Sequence, residues 1–211
     1  MLLDLVTAKV HDDSGRLTIQ TDFQPAIDAA LERYSKHRPL ELVEDLDGAG
    51  SGSLDLPEGF VQGFSRILAV EYPIGSVPPE LLPAAAWMLY RTPTGTSLRL
   101  LEQVPPVDSS VRVTYTAPRS ESDIASGDQD VVACLAASIC LRTLAAIYAQ
   151  TSDSTIQADS VNYGSKADQF RRLADSLEER FNLHLGIDLK GGTPAASAVA
   201  AAPRRQGLTH G

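Results

Sequence analysis

The chain has 211 residues, 43% of them hydrophobic, and carries 18 basic against 27 acidic residues for a formal net charge of −9. A chain of this length can bury one sizeable core, so we expect one domain with a tail. The negative charge opposes sequence-independent attraction to nucleic acid or to an anionic membrane, so we expect neither as a direct partner.

The first residues and the cysteines predict an intracellular protein. MLLDLVTAKVHDD has no basic leader before its apolar residues and already carries Asp4, which does not fit a secretory signal. Cys134 and Cys140 lie in an apolar stretch, and we expect both to be buried free thiols in a reducing compartment. That stretch, 131–149, is interrupted by Arg142 and is expected to be a core helix rather than a membrane span.

Residues 22–38 predict the first helix, because Ile27, Leu31 and Tyr34 recur at helical spacing and Pro25 suits the first turn. Residues 40–118 predict an antiparallel sheet built from hairpins. Its short alternating runs, separated by Gly and Pro breaks, are LELVEDL, SRILAVEYPI, WMLYRTP, TSLRLLEQ and VRVTYTAP. The sequence GAGSGS at 48–53 has no side chain able to hold a fixed network, so we expect a mobile tip there, or a tip that is ordered only by a neighbouring ring.

Two further helices are predicted after the sheet. Residues 128–150 contain neither Gly nor Pro and are apolar on nearly every side, so their own domain or neighbouring subunits must cover them. Residues 165–185 begin with Ser165 and Asp168, a pair resembling a capping box, and carry one apolar stripe.

The predicted fold class is therefore α+β. Residues 1–187 form a helical bundle-like part with an inserted antiparallel β-sheet, and residues 188–211 form an extended C-terminal arm. The arm has no aromatic residue and too little apolar surface to order alone. It is basic on an acidic chain, which indicates an interaction arm.

No pattern indicates catalysis. The four histidines lack zinc-site spacing, GAGSGS lacks the spacing of a phosphate loop, and no G-x-S-x-G occurs. Adjacent acids such as Glu44 and Asp45 are expected to be solvated surface. We predict no catalytic, cofactor-binding or metal-binding residue and no enzyme activity. An alternative is a small-molecule-binding or enzymatic α+β domain with a pocket between sheet and helices near Trp87 and Tyr90, although strand aromatics are more often core.

Several strings, in order, resemble the head-to-tail connector, or adaptor, proteins of long-tailed bacteriophages. They are AIDAALERYSKHRPLELVEDL, SRILAVEYPIG followed by PPELL, VRVTYTAP, and AASICLRTLAAIYAQTSDSTIQADSVNYGSKADQFRRLADSLEERFNLHLG. The likeness covers about residues 20 to 186 and includes no chemical motif. The sequence departs from the shorter connectors in its long strand-rich insertion.

The resemblance implies a non-enzymatic structural protein of the virion neck, assembled in the bacterial host cytoplasm. It implies a homo-oligomeric ring, usually of twelve copies, beneath the capsid portal, where it prolongs the DNA exit channel and receives the tail. The implied partners are further copies of the chain, the portal protein and a tail-side neck or tail terminator protein, with DNA only as passing cargo. An acidic channel wall that repels DNA fits this role.

The candidate contact residues fall into two groups. The candidate subunit interface consists of Leu135, Ile139, Arg171 and Arg172. The candidate portal-docking arm consists of Lys190, Ala195, Ala198, Arg204 and Arg205. Small alanines would let the arm lie close against a partner, and its arginines would pair with the partner's acids.

Overall fold

A computed structural model describes residues 1–93, 95–151 and 163–187. Within these residues the chain is α+β, with four α-helices and two three-stranded antiparallel sheets, which confirms the predicted fold class. The predicted arm at 188–211 lies outside the described residues.

The α-helices are α1 Leu2–Val10, α2 Gln24–His37, α3 Gln129–Thr151 and α4 Tyr163–Leu185. A π-helical turn, Ile19–Phe23, leads into α2, and a 3-10 turn, Glu121–Asp123, precedes α3. The three predicted helices are confirmed to within about two residues at most ends, although Ser165 lies inside α4 rather than before it. Helix α1 was not predicted from the sequence, although its buried Leu2, Val6 and Val10 recur every four residues.

The helices share one core, and α3 lies at its centre. The α3 side chains from Val131 to Ser138 are all buried, because α1, α2 and α4 pack around that helix. The chain's own helices therefore cover this part of α3. Cys134 and Cys140 are free and buried there, as predicted, and burial raises the pKa of Cys140 to about 12.

One described helix, Gln129–Gln150, is long and apolar enough to cross a membrane by length and composition alone. However, 72% of its apolar window is buried inside the protein, and a core helix passes the same test.

The strands are β1 Leu40–Asp47, β2 Ser53–Leu54, β3 Ile67–Glu71, β4 Trp87–Thr92, β5 Gly95–Leu100 and β6 Ser110–Ala117. The first sheet has the order β1-β6-β3 and the second has the order β2-β5-β4. The prediction of one hairpin-built sheet was therefore wrong, since only β4 and β5 are consecutive strands that pair. The last strand, β6, is the central strand of the first sheet because β1 and β3 pair with its two sides, and its Val111, Val113 and Tyr115 are buried on one face.

Both sheets pack against a second core, separate from the helical one. It combines side chains of β5, such as Leu98, with side chains of β6, such as Val113. The inserted segment begins and ends at one point, because Leu40 and Ala117 are directly paired in the register of β1 and β6.

The loop at 48–53 is not the mobile tip that the sequence predicted. Gly48 N donates to the Ser109 carbonyl at 2.8 Å, and Gly50 N donates to the Pro105 carbonyl at 3.0 Å. A Cβ at Gly48 would overlap the Pro106 carbonyl oxygen. The glycines therefore allow this loop to lie tightly against the segment before β6.

Candidate functional site

A buried carboxylate, Asp128, lies at the start of α3 and accepts three side-chain hydrogen bonds. It is 5% exposed. The donors are the Tyr34 hydroxyl at 2.5 Å and Arg38 Nη1 at 2.6 Å, both near the end of α2. His184 Nε2, at the end of α4, lies 2.7 Å from the other carboxylate oxygen. The Asp128 cluster, these four residues, therefore joins the ends of three helices.

The electrostatics of the cluster favour an ionised carboxylate. Burial alone would raise the pKa of Asp128, but the hydrogen bonds from Tyr34, His184 and Arg38 lower that pKa to about 2. Burial and the hydrogen bond to Asp128 raise the pKa of Tyr34. Tyr34 thus stays protonated and Asp128 stays charged over the physiological range.

A histidine bonded to a carboxylate is also the arrangement that orients a general base. Among the described residues, however, no serine, threonine or cysteine is hydrogen-bonded to His184. The other carboxylate oxygen of Asp128 accepts hydrogen bonds from Tyr34 and Arg38. Asp128 therefore links α2 to α4 at the start of α3, in an arrangement called here the helix clamp. No local sequence pattern indicates this cluster, because its members lie 56 to 94 positions from Asp128 along the chain.

The predicted interface residues lie in different environments. Leu135 is 2% exposed inside the helical core, so it is not available as a subunit contact in the folded chain. Ile139 is half-buried against the same core. Arg171 and Arg172 are exposed on α4, where Arg171 Nη1 lies 3.1 Å from Asp168. The structure thus does not bring these four residues together as one surface.

The candidate residues of the arm, Lys190, Ala195, Ala198, Arg204 and Arg205, lie outside the described residues.

The alternative pocket near Trp87 and Tyr90 does not match the geometry of β4. The two residues are three positions apart, so their side chains point to opposite faces of the strand. Trp87 packs against the core of the sheets, whereas Tyr90 is 38% exposed. Two cavities, of about 490 and 450 Å³, lie elsewhere, the first beside Met1 and Glu121 and the second beside Lys36 and Arg66.

One exposed surface lies on the β4–β5 hairpin and is called here the hairpin face: Met88, Tyr90 and Arg99. Met88 is 43% exposed, and it lies opposite Arg99 in the register of the two strands. The Arg99 guanidinium lies over the Tyr90 ring at 4.2 Å from its centroid. Strands β4 and β5 contain Arg91 and Arg99 and no acidic residue, so the hairpin itself carries positive charge.

A second exposed surface lies on β1 and is called here the acidic strand face: Glu41, Val43, Asp45 and Asp47. All four alternate on the exposed side of the strand, and Val43 is 60% exposed. Asp45 is bonded to Arg112 at 2.7 Å, whereas no ion pair involves Glu41 or Asp47 within the described part of the chain. No basic residue occurs in β1, but Arg112 of β6 lies opposite Asp45, and Glu41 lines the second cavity together with Lys36 and Arg66. The carboxylates of this surface without an ion pair in the described part of the chain are Glu41 and Asp47.

Comparisons with known proteins find a likeness only at the level of solved structures. No family model matches the sequence, and no curated protein is similar to it. One similar chain comes from a structure titled "Neck of native GTA particle computed with C12 symmetry"; it is 18% identical, with a TM-score of 0.29 over 79% of this chain and 88% of that chain.

Another similar chain comes from the "Virion of native gene transfer agent (GTA) particle"; it is 15% identical, with a TM-score of 0.30 over 81% of this chain and 88% of that chain.

Proposed function

We propose that the chain is a non-enzymatic structural subunit of a phage-like virion neck. In this role copies of the chain assemble into a ring, of about twelve subunits in the resembled family, between the capsid portal and the tail. The ring prolongs the DNA exit channel and contacts the portal on one side and a tail-side neck or tail terminator protein on the other. The phage assignment comes from the sequence resemblance over about residues 20 to 186.

The structural observation that carries assembly is the apolar surface left uncovered on the sheet part. Five apolar side chains in the loops around the sheets are more than half exposed: Val77 at 97%, Val107 at 71%, Val104 at 63%, Leu81 at 59% and Leu101 at 53%. Contiguous exposed apolar groups are typical of a surface that binds another protein, and these side chains fall in two short segments, 77–81 and 101–107. We infer that these loops contact neighbouring proteins in the assembled neck.

The site chemistry supports a structural role in a second way. The Asp128 cluster uses its carboxylate to hold three helix ends together, which gives a rigid helical unit rather than a reactive centre. A formal net charge of −9 is also compatible with a channel that DNA passes without binding.

Native mass spectrometry of the purified chain, alone and with the portal of its own particle, tests this function. We expect a species of about twelve times 22.5 kDa, or its formation when the portal is added. A chain that stays monomeric in both conditions would contradict the proposed ring. A mass change with a small metabolite instead would favour a ligand-binding domain.

We also propose that residues 188–211 act as a docking arm toward the portal or a neighbouring subunit. Deletion of these residues should leave the thermal unfolding of the isolated subunit almost unchanged and should weaken its attachment to the portal. Attachment of the truncated chain with unaltered affinity would rule out this role.

A further inference from the structure

We infer that the hairpin face of one copy packs against the acidic strand face of the next copy, so that each subunit uses two different surfaces in the ring. This inference rests on the proposed function, because it requires that the chain assembles with itself. It assigns the contact to the sheet part rather than to α3 and α4, where the sequence had placed it.

The hairpin face has the composition of a protein-binding surface. Tyrosine, methionine and arginine are the residues enriched at the centres of interfaces, and here all three lie side by side. The Tyr90 ring holds the Arg99 guanidinium in place, so less side-chain freedom is lost when a partner binds. Among the described residues no carboxylate forms an ion pair with Arg99, so its charge remains available to a partner.

The acidic strand face offers the complementary chemistry. Glu41 and Asp47 supply free carboxylates at its two ends, and Val43 supplies an apolar contact between them. The outward-facing side chains of β1 and β4 are exposed, so neither surface is covered by the described part of the chain.

Charge decides between the two ways in which copies could meet. A twofold contact would place the acidic strand face on its own copy, or Arg99 near its own copy, and like charges in an interface are unfavourable. The contact of hairpin face with acidic strand face brings opposite charges together. Such a contact between different surfaces is head-to-tail, and it produces a ring when the rotation closes.

Charge reversal of each face tests the inference. The hairpin variant is Arg99→Glu, and the strand variant combines Glu41→Lys with Asp47→Lys. All three positions are exposed, so we expect each variant to fold with the thermal unfolding of the wild-type chain. Each variant alone should be monomeric in native mass spectrometry under conditions where the wild-type chain forms rings.

Two further experiments test whether the contact joins two different faces: mixing the two variants, and combining all three substitutions in one chain. A mixture of the two variants should recover rings in which the two chains alternate, because the two intact faces pair with each other and the two reversed faces are also of opposite charge. The chain that carries all three substitutions should recover rings, because its charges are exchanged but still complementary. Arg172→Glu, on exposed α4, is the matched control and should leave the ring intact.

The outcomes separate this inference from the proposed function. If the wild-type chain forms rings and Arg99→Glu forms them equally well, the inference is overturned and the proposed function remains. The same holds if Arg172→Glu abolishes rings while Arg99→Glu does not, since the contact would then lie on α4. A wild-type chain that remains monomeric with and without the portal overturns both.

Discussion

At the scale of single residues, two aspartates show how burial changes the contribution of an aspartate–arginine ion pair to the free energy of unfolding. Asp128 and Asp45 both bind an arginine, at 2.6 and 2.7 Å respectively. The Asp128 side chain is 8% exposed and the Asp45 side chain is 44% exposed. Because solvent screens the exposed pair, only the buried carboxylate should contribute strongly to the free energy of unfolding.

We therefore expect Asp128→Asn to lower the free energy of unfolding by about 1–3 kcal/mol, because charged hydrogen bonds within the helix clamp are lost. Asp45→Asn, the matched control, should lower it by less than about 1 kcal/mol. Urea denaturation followed by circular dichroism measures both. Equal losses for the two variants would show that the cluster does not stabilise the fold.

The same carboxylate predicts a pH dependence of stability. Its pKa in the folded chain, about 2, lies below the ordinary value of 3.8. A lowered pKa means that the stabilisation is present above about pH 4 and is lost as the pH falls through about 2, with a total on the order of 2 kcal/mol. The wild-type chain should thus lose stability between pH 5 and 2 more steeply than Asp128→Asn, as measured by urea denaturation across that range.

The control for this pH prediction is His184→Gln, which keeps a hydrogen-bond donor beside Asp128. It should retain the loss of stability below pH 4. If His184→Gln abolishes that loss, the loss does not come from the Asp128 carboxylate alone.

At the scale of elements, the sequence predicted those helices and strands whose signal is local. Apolar spacing gave α2, α3 and α4, and two-residue alternation gave the longer strands. The central position of β6 in its sheet could not be predicted from local patterns. Strands β1 and β6 are far apart in sequence, and they pair because both bury an apolar face. The Asp128 cluster was missed for the same reason, because no spacing relates Tyr34 to His184.

The position of α3 inside the helical core leads to a prediction about Leu135. This side chain is 2% exposed, so Leu135→Ala should lower the free energy of unfolding by about 2–5 kcal/mol through the cavity it leaves. Ile139→Ala, on the half-buried side of α3, is the control and should cost less. Denaturant unfolding of the monomer measures both. A small effect at Leu135 with loss of assembly would instead return this residue to the subunit interface.

The loop after β1 provides a prediction at a glycine. A Cβ at Gly48 would overlap the Pro106 carbonyl oxygen, whereas a Cβ at Gly127 would meet no atom within 4 Å. Neither glycine has a positive φ, so the space available is the difference between them. Gly48→Ala should destabilise the chain by about 1–3 kcal/mol, as overpacking does, and Gly127→Ala should not. Thermal unfolding of the two variants measures this difference. Equal unfolding midpoints would show that the loop can move to accept a Cβ at Gly48 without loss of stability.

At the scale of the whole molecule, the sheet part is an insertion in a helical protein. The buried residues of the helical core come from segments before residue 40 and after residue 117, and those of the sheet core come from between them. Arg119 closes the junction from the helical side. Its backbone N–H donates to Ser35 Oγ at 2.9 Å, and its Nε donates to the Arg38 carbonyl at 2.7 Å.

This organisation predicts that the helical part folds without residues 40–117. Leu40 and Ala117 are paired, and the Cα atoms of such a pair lie about 4.5–5.5 Å apart, so two or three glycines should bridge the gap. The shortened chain should keep its helical circular dichroism and unfold in one cooperative transition, since the helical core and the Arg119 contacts are retained. It should also be monomeric, because the hairpin face and the acidic strand face are both removed. A shortened chain with helical signal but no cooperative transition would show that the sheet part is required to order the helices.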